Sequence, residues 1–150
     1  MKKAFTLIEL VFVIVILGVL ATVAIPKLIV TRDDAEIAKA KSQIAAVRSG
    51  IQLKRNEMIL SGTQGYPKAA DLENGDCCFG GILSTKIEQR KDDNSYGWKK
   101  ETDGSYTINT NKEQVKFTYS DSDGSFKCEG ATTDDDKKNP KSGKCTTNLY

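Results

Sequence analysis

From Ala4 to Ile25 the chain reads AFTLIELVFVIVILGVLATVAI, an apolar run whose one ionisable side chain is Glu9. Counted from Phe5 it is about 21 residues, or about 31 Å of helix, which matches the hydrocarbon thickness of a bilayer. Beyond Pro26 the run gives way to a mixed pattern with a helical period. Val30, Ile37, Ile44, Ile51 and Met58 recur every seven residues, with Ala40 and Val47 on the same side. Arg32, Asp33, Asp34, Glu36, Lys39, Lys41, Gln43 and Arg48 fall between them. One apolar stripe on a polar helix is the amphipathic signature. Pro26 removes one backbone hydrogen bond and is expected to kink the helix without ending it. Gly62 and Gly65, with Pro67 just beyond, supply the stop. The pattern predicts one helix from about Phe5 to about Leu60, roughly 80 Å long.

Residues 66–93 carry no clear period. Tyr66-Pro67, Asn74-Gly75 and Gly80-Gly81 are turn signals, with a short helix or strand expected near Ile82–Gln89. From Tyr96 the period becomes two. Tyr96 and Trp98, Tyr106 and Ile108, Val115, Phe117 and Tyr119, then Phe126 and Cys128 alternate with polar residues. Turns fall at Thr102-Asp103-Gly104, at residues 110–113 and at Ser122-Asp123-Gly124. This spacing predicts an antiparallel meander of three or four strands. The helix stripe could form a dimeric coiled coil, but it is narrow and Lys54 interrupts the second seam. Packing under the sheet of the same chain is the reading preferred. The fold class is α+β, a long N-terminal helix on a small antiparallel sheet, and the aromatic residues are core rather than a ligand box.

A chain of 150 residues holds one domain plus an anchor. With 22 basic and 20 acidic residues it is not a strongly basic nucleic-acid-binding chain. It contains no His, which removes the commonest general base and weakens every enzyme reading; no catalytic residue is proposed. Four cysteines fit export to an oxidising space. They allow three pairings, two of which tie Cys77 and Cys78 to Cys128 and Cys145. A zinc site is disfavoured, since no C-x-x-C spacing is present.

Glu9 carries the functional argument. A carboxylate in hydrocarbon costs several kcal/mol, so such a residue has a partner and a task. No basic residue of the run can pair with it, which points to a chain terminus or another subunit. The plain alternative is that it snorkels to the interface, about one turn away. Lys2 and Lys3 place the N-terminus in the cytoplasm and export the chain beyond Pro26. A secretory signal peptide cut near Thr22-Val23-Ala24 competes, but the run is too long and Glu9 has no place in it.

The opening KKAFTLIEL resembles the N-terminus of the type IV pilins and type II secretion pseudopilins. The resemblance covers roughly the first third of the chain and implies a leader of Met1 to Ala4, cut before Phe5. Ala4 stands where the family most often has Gly. It maps the family's conserved glutamate onto Glu9, its helix-kinking proline onto Pro26 and an in-segment glycine onto Gly18. The domains implied are the leader 1–4, a transmembrane and filament-core helix half 5–25, an amphipathic half 26–62, and a head 63–150 with a C-terminal cysteine loop. Cleavage frees an α-amino group on Phe5, four residues and one helical turn from Glu9. That ammonium can neutralise Glu9 in its own chain or in a neighbour, where a misplaced copy leaves a buried charge unpaired. The resemblance also implies a Cys128–Cys145 disulfide, about 3 kcal/mol in the loop-entropy account, leaving Cys77 and Cys78 as a vicinal bridge or as thiols. This pairing and the crossed ones all stay open.

Asp121 and Asp123 with the Gly124 turn resemble part of a calcium loop, and some pseudopilins hold Ca²⁺ between their last strands. The remaining oxygen ligands are missing and Asp-Gly is a common turn pair, so the turn is preferred. Otherwise no cofactor is expected. Asp134-Asp135-Asp136 with Lys137-Lys138 reads as a solvated loop.

The resemblance implies a structural subunit of a helical filament. Its partners are other pilins or pseudopilins, a prepilin peptidase that cuts after Ala4 and methylates Phe5, and an inner-membrane platform with an ATPase. The chain would be single-pass in the inner membrane with its head in the periplasm, and periplasmic or surface-exposed as filament. Gly65-Tyr66-Pro67 leans towards a secretion pseudopilin, and the C-terminal cysteines towards an adhesive or motile pilin. A DNA-uptake pseudopilin, the one case with a nucleic-acid partner, is a further alternative. A single-pass anchored periplasmic binding domain is the distant one, with no need of Glu9.

Overall fold

The computed structural model describes residues 5–75, 77–87, 89–92, 95–110, 113–133 and 145, with the side chains of 23–31, 132 and 133 excepted. It divides into two compact units, Met1–Ala35 and Glu36–Tyr150. The first helix, α1, runs from Leu7 to Leu60 and belongs to both. It is continuous through Pro26, as expected of a proline that removes one hydrogen bond without stopping a helix. Residues 23–31 are helical, but the bend expected at Pro26 lies outside the description. At its C-terminal end the Gly62 N–H donates to the Ile59 carbonyl (3.0 Å) and the Thr63 N–H to the Met58 carbonyl (2.8 Å). Gly62 has φ +87°, so this is a Schellman cap, and the stop falls where the glycines placed it.

Among the described residues four strands come after it: β1 (Gly97–Lys100), β2 (Tyr106–Asn109), β3 (Glu113–Ser120) and β4 (Ser125–Thr133). They form one antiparallel sheet in the order β1-β2-β3-β4. This is the predicted meander, with a register shift between Lys116 and Phe117 where β3 meets β4. Trp98, Tyr106, Ile108, Val115, Phe117 and Phe126 alternate onto one face and are buried. In the second unit they meet Ala40, Ile44, Val47 and Ile51 in one core. Each of the larger aliphatic side chains contributes about 1.5–3 kcal/mol by leaving water. The stripe is thus used within the chain, with Ile37 packed at its margin.

The segment between helix and sheet departs from expectation. A short 3₁₀ helix forms at Ala69–Leu72, where the Lys68 N–H donates to Asp71 (2.8 Å). No regular element forms among the described residues of 82–89; Gln89 makes only a single bridge to Trp98. The apolar residues there, Ile82 and Ile87, enter the core from irregular backbone instead. Pro67 accepts a hydrogen bond from the Tyr119 hydroxyl (2.6 Å). A Cβ at Gly124 would overlap the Tyr66 ring, so this turn needs glycine both for space and for its φ of +67°.

Phe79 fills the centre of the core and was not among the aromatic residues expected there. Its ring lies 4.4 Å from that of Tyr106, 5.2 Å from Trp98 and 5.6 Å from Phe126, centroid to centroid. Its backbone has φ +64°, a left-handed conformation unusual for a bulky residue. Glu73 holds it: one carboxylate oxygen accepts the Phe79 N–H (3.0 Å), the other the Tyr106 hydroxyl (2.6 Å). Burial first, and then Glu73, push the Tyr106 phenol well above its usual range. Glu73→Ala leaves two buried donors unsatisfied and is expected to lower stability by about 2–4 kcal/mol in chemical denaturation; a loss below about 1 kcal/mol would remove Glu73 as the anchor.

Glu113 opens β3 and closes the turn from Thr110, whose N–H and hydroxyl both donate to its carbonyl (2.9 and 3.0 Å). Its side chain is buried, and among the described residues one carboxylate oxygen has no hydrogen-bond partner. Burial pushes its carboxyl up from the usual range. A carboxyl raised on folding favours the folded state while protonated, and that contribution fades as pH rises through the raised value. Glu113→Gln removes the ionisation. It is expected to melt higher than the parent at pH 7, with the difference shrinking towards pH 4; a variant that melts lower at pH 7 contradicts this.

Candidate assembly site around Glu9

The local sequence Thr6-Leu7-Ile8-Glu9 is a capping box, Thr-x-x-Glu, at the start of α1. The Thr6 N–H and the Thr6 hydroxyl both donate to the Glu9 carboxylate (2.9 and 2.7 Å). The Glu9 N–H donates back to the Thr6 hydroxyl at 3.3 Å. Thr6 thus supplies hydrogen-bond donors to Glu9, and not the counter-charge expected of a terminus or another subunit. Two neutral donors one turn away already satisfy part of its lone-pair capacity, although they leave its charge in place. The Thr-x-x-Glu spacing is the signal that gives this away.

Around this cap the described apolar side chains from Phe5 to Leu20 face outwards. Phe5, Leu7, Ile8, Leu10, Phe12, Leu17, Val19 and Leu20 are all exposed, Phe5 at 82%. Glu9 shares a shallow surface with Ile8, Val11, Phe12 and Val15. A Cβ on Gly18 would meet nothing within 4 Å. Large exposed apolar patches mark surfaces that other apolar matter covers. Among the described residues no helix is long and apolar enough to cross a membrane. The described side chains of this run end at Thr22, so the span expected from Phe5 to Ile25 is not shown. Ala4 and the rest of the leader lie outside the described residues.

The cysteines and the candidate calcium ligands belong to the second unit. Cys77 is bonded to Cys78, and Cys128 of β4 to Cys145; neither crossed pairing is formed. Cys78 is buried in the core. Asp121 and Asp123 sit in the exposed β3–β4 turn. The Asp123 carboxylate accepts the Ser125 N–H (3.0 Å) and meets Lys127 at 3.4 Å. Those hydrogen bonds, Ser125 first, hold its carboxyl well below the usual range. Among the described residues no group of three or more His, Cys, Asp or Glu could hold a metal ion.

A long helix with an exposed apolar start, a capped glutamate at its third position and a small antiparallel sheet on its later turns make up the pilin-like α+β arrangement that the resemblance implied. Residues 1–25 match the family model described as the prokaryotic N-terminal methylation motif. Over 47 residues the chain is 49% identical to the type IV narrow pilus major component PilA5 of Thermus thermophilus, covering 31% of this chain and 40% of the relative. Over 52 residues it is 42% identical to type II secretion system core protein G of Dickeya chrysanthemi, covering 35% of this chain and 34% of the relative. It is 40% identical over 52 residues to the protein of the same name in Pectobacterium carotovorum subsp. carotovorum, covering 35% and 33%. The chain thus spans a third to two fifths of the length of these curated relatives. No solved structure matches it.

Proposed function

We propose that the chain is a structural subunit of a type IV pilus-like filament, and within that class a pseudopilin of a type II secretion system. The observation that carries the reading is the methylation motif of residues 1–25 on a helix whose start exposes apolar side chains around a capped Glu9. Those side chains become the filament core, and the sheet of the second unit coats its outside. The chain performs no chemistry itself. A prepilin peptidase cuts between Ala4 and Phe5 and methylates Phe5. An inner-membrane platform with an ATPase then moves the subunit from the inner membrane into a periplasmic filament. Cleavage gives Glu9 a counter-charge that Thr6 does not supply, and the pair sets the register between copies.

The likeness to core protein G of two bacteria, with the Gly65-Tyr66-Pro67 turn, supports the secretion reading. An adhesive or motile type IV pilin is the second reading, favoured by the likeness to PilA5 and the Cys128–Cys145 bond.

Mass spectrometry of the mature protein tests the processing. The expected N-terminus is methylated Phe5, and Ala4→Leu is expected to block the cut; an intact Met1 or a start at Ile25 in the wild-type protein overturns the reading. Glu9→Val is expected to give a stable, membrane-inserted chain that assembles at least tenfold less filament, read by shearing and blotting. Undiminished assembly removes the register role.

A further inference from the structure

Asn74 and Gly75 follow the 3₁₀ helix on the surface of the second unit, and both are exposed. Of the chain's asparagines only Asn74 precedes a glycine. Gly75 has φ +84°, and a Cβ there would meet nothing within 4 Å among the described residues. With no side chain to shield it, the Gly75 nitrogen is open to the side-chain carbonyl carbon of Asn74. Two other turns place an acid before glycine, Asp103-Gly104 and Asp123-Gly124. In each the carboxylate bonds to the residue after the glycine: Asp103 accepts the Ser105 N–H (2.9 Å) and Asp123 the Ser125 N–H (3.0 Å). Lys116 and Lys127 stand beside them as counter-ions. An ionised carboxylate is a poor electrophile, whereas the Asn74 carboxamide is neutral.

We propose that Asn74 is a site of spontaneous covalent modification that loosens the seat of Phe79. The Gly75 nitrogen gives up its proton and bonds to the Asn74 side-chain carbon. The carboxamide nitrogen takes up a proton and leaves as ammonia, so that a succinimide ring remains. Water then opens the ring at one of its two carbonyls and leaves aspartate or isoaspartate; no oxidant or reductant takes part. Isoaspartate carries the main chain through the side-chain carbon and lengthens it by one atom. The stretch it lengthens is fastened at both ends. The Leu72 carbonyl accepts the Gly81 N–H (3.0 Å), and the Glu73 carboxylate accepts the Phe79 N–H (3.0 Å). A Cβ at Gly81 would overlap the Asp71 carbonyl oxygen, so the two ends lie backbone against backbone. Modification also sets a new carboxylate next to Glu73, whose side chain is only 10% exposed, and like charges so placed repel. Both changes act on the carboxylate that holds Phe79 and Tyr106.

The test uses the full-length chain in detergent, incubated in warm, mildly alkaline buffer. Peptides are read by mass spectrometry for amide-to-acid exchange, with an isoaspartyl methyltransferase as the probe for isoaspartate. Exchange is expected about tenfold faster at Asn74 than at any other asparagine, because glycine leaves the following nitrogen open. An intact Asn74, or another asparagine exchanging first, overturns the site. Trp98, the chain's one tryptophan, lies 5.2 Å from the Phe79 ring and reports the loosening. Its fluorescence is expected to shift to the red, and the urea midpoint to fall, as isoaspartate accumulates. Asn74→Gln is expected to keep both values through the same incubation. Asn74→Asp carries the charge without the added atom and is expected to lie between the fresh and the aged chain. Unchanged fluorescence and midpoint in a chain rich in isoaspartate overturn the loosening, as does an Asn74→Gln chain that declines as fast as the parent. An Asn74→Asp midpoint as low as that of the aged chain overturns the role of the added atom.

Discussion

Ala40, Ile44, Val47 and Ile51 form the line on which the head depends. They project at i, i+4, i+7 and i+11 from α1 and form the helix side of the core on which the sheet closes. Every other feature of the second unit is arranged to keep that closure dry. The strands bring Trp98, Tyr106, Ile108, Val115, Phe117 and Phe126 down from one side. Phe79, Ile82 and Ile87 come in from the irregular segment. Gly50 marks how close this segment approaches: a Cβ there would stand 2.8 Å from the Ile82 carbonyl oxygen. Filling a core to this density leaves little room for change, and loss of a buried aliphatic side chain costs about 2–5 kcal/mol.

The regular elements could be read from the chain because each has a period of its own. The seven-residue recurrence from Ile37 to Ile51 fixed the buried side of α1, and the alternation from Trp98 to Phe126 fixed both the strands and their inward face. The glycine at position 62 gave the helix end to within a residue. Residues 66–93 could not be read this way. Phe79 owes its place to a carboxylate six residues earlier and to three rings far away in sequence, and no local period announces such contacts. Glu73 was unreadable for the same reason, since one acid between turns looks like a solvated one. An element near Ile82–Gln89 was expected from its apolar residues, yet these reach the core without regular hydrogen bonding.

At Glu9 the chain did contain the answer, in the form of Thr6. A carboxylate among apolar residues poses two separate requirements: its lone pairs need donors and its charge needs an opposite. Thr6 meets the first with its N–H and its hydroxyl, and leaves the second open. The cysteines illustrate a different limit. Spacing alone admits three pairings, and it is the folded chain that joins Cys77 to Cys78 and Cys128 to Cys145.

The Thr6 cap has a consequence for the trimmed subunit. A helix presents the positive ends of its aligned peptide dipoles at its first turn, so added positive charge there is unfavourable and negative charge favourable. A new N-terminus at Phe5 would set an ammonium one residue ahead of the cap, against that field. The acid at the third helical position offsets the dipole and the ammonium together. In the proposed processed chain, a neutral residue in place of Glu9 would therefore disturb how the first turn winds, even in a solitary subunit with no neighbour to register against.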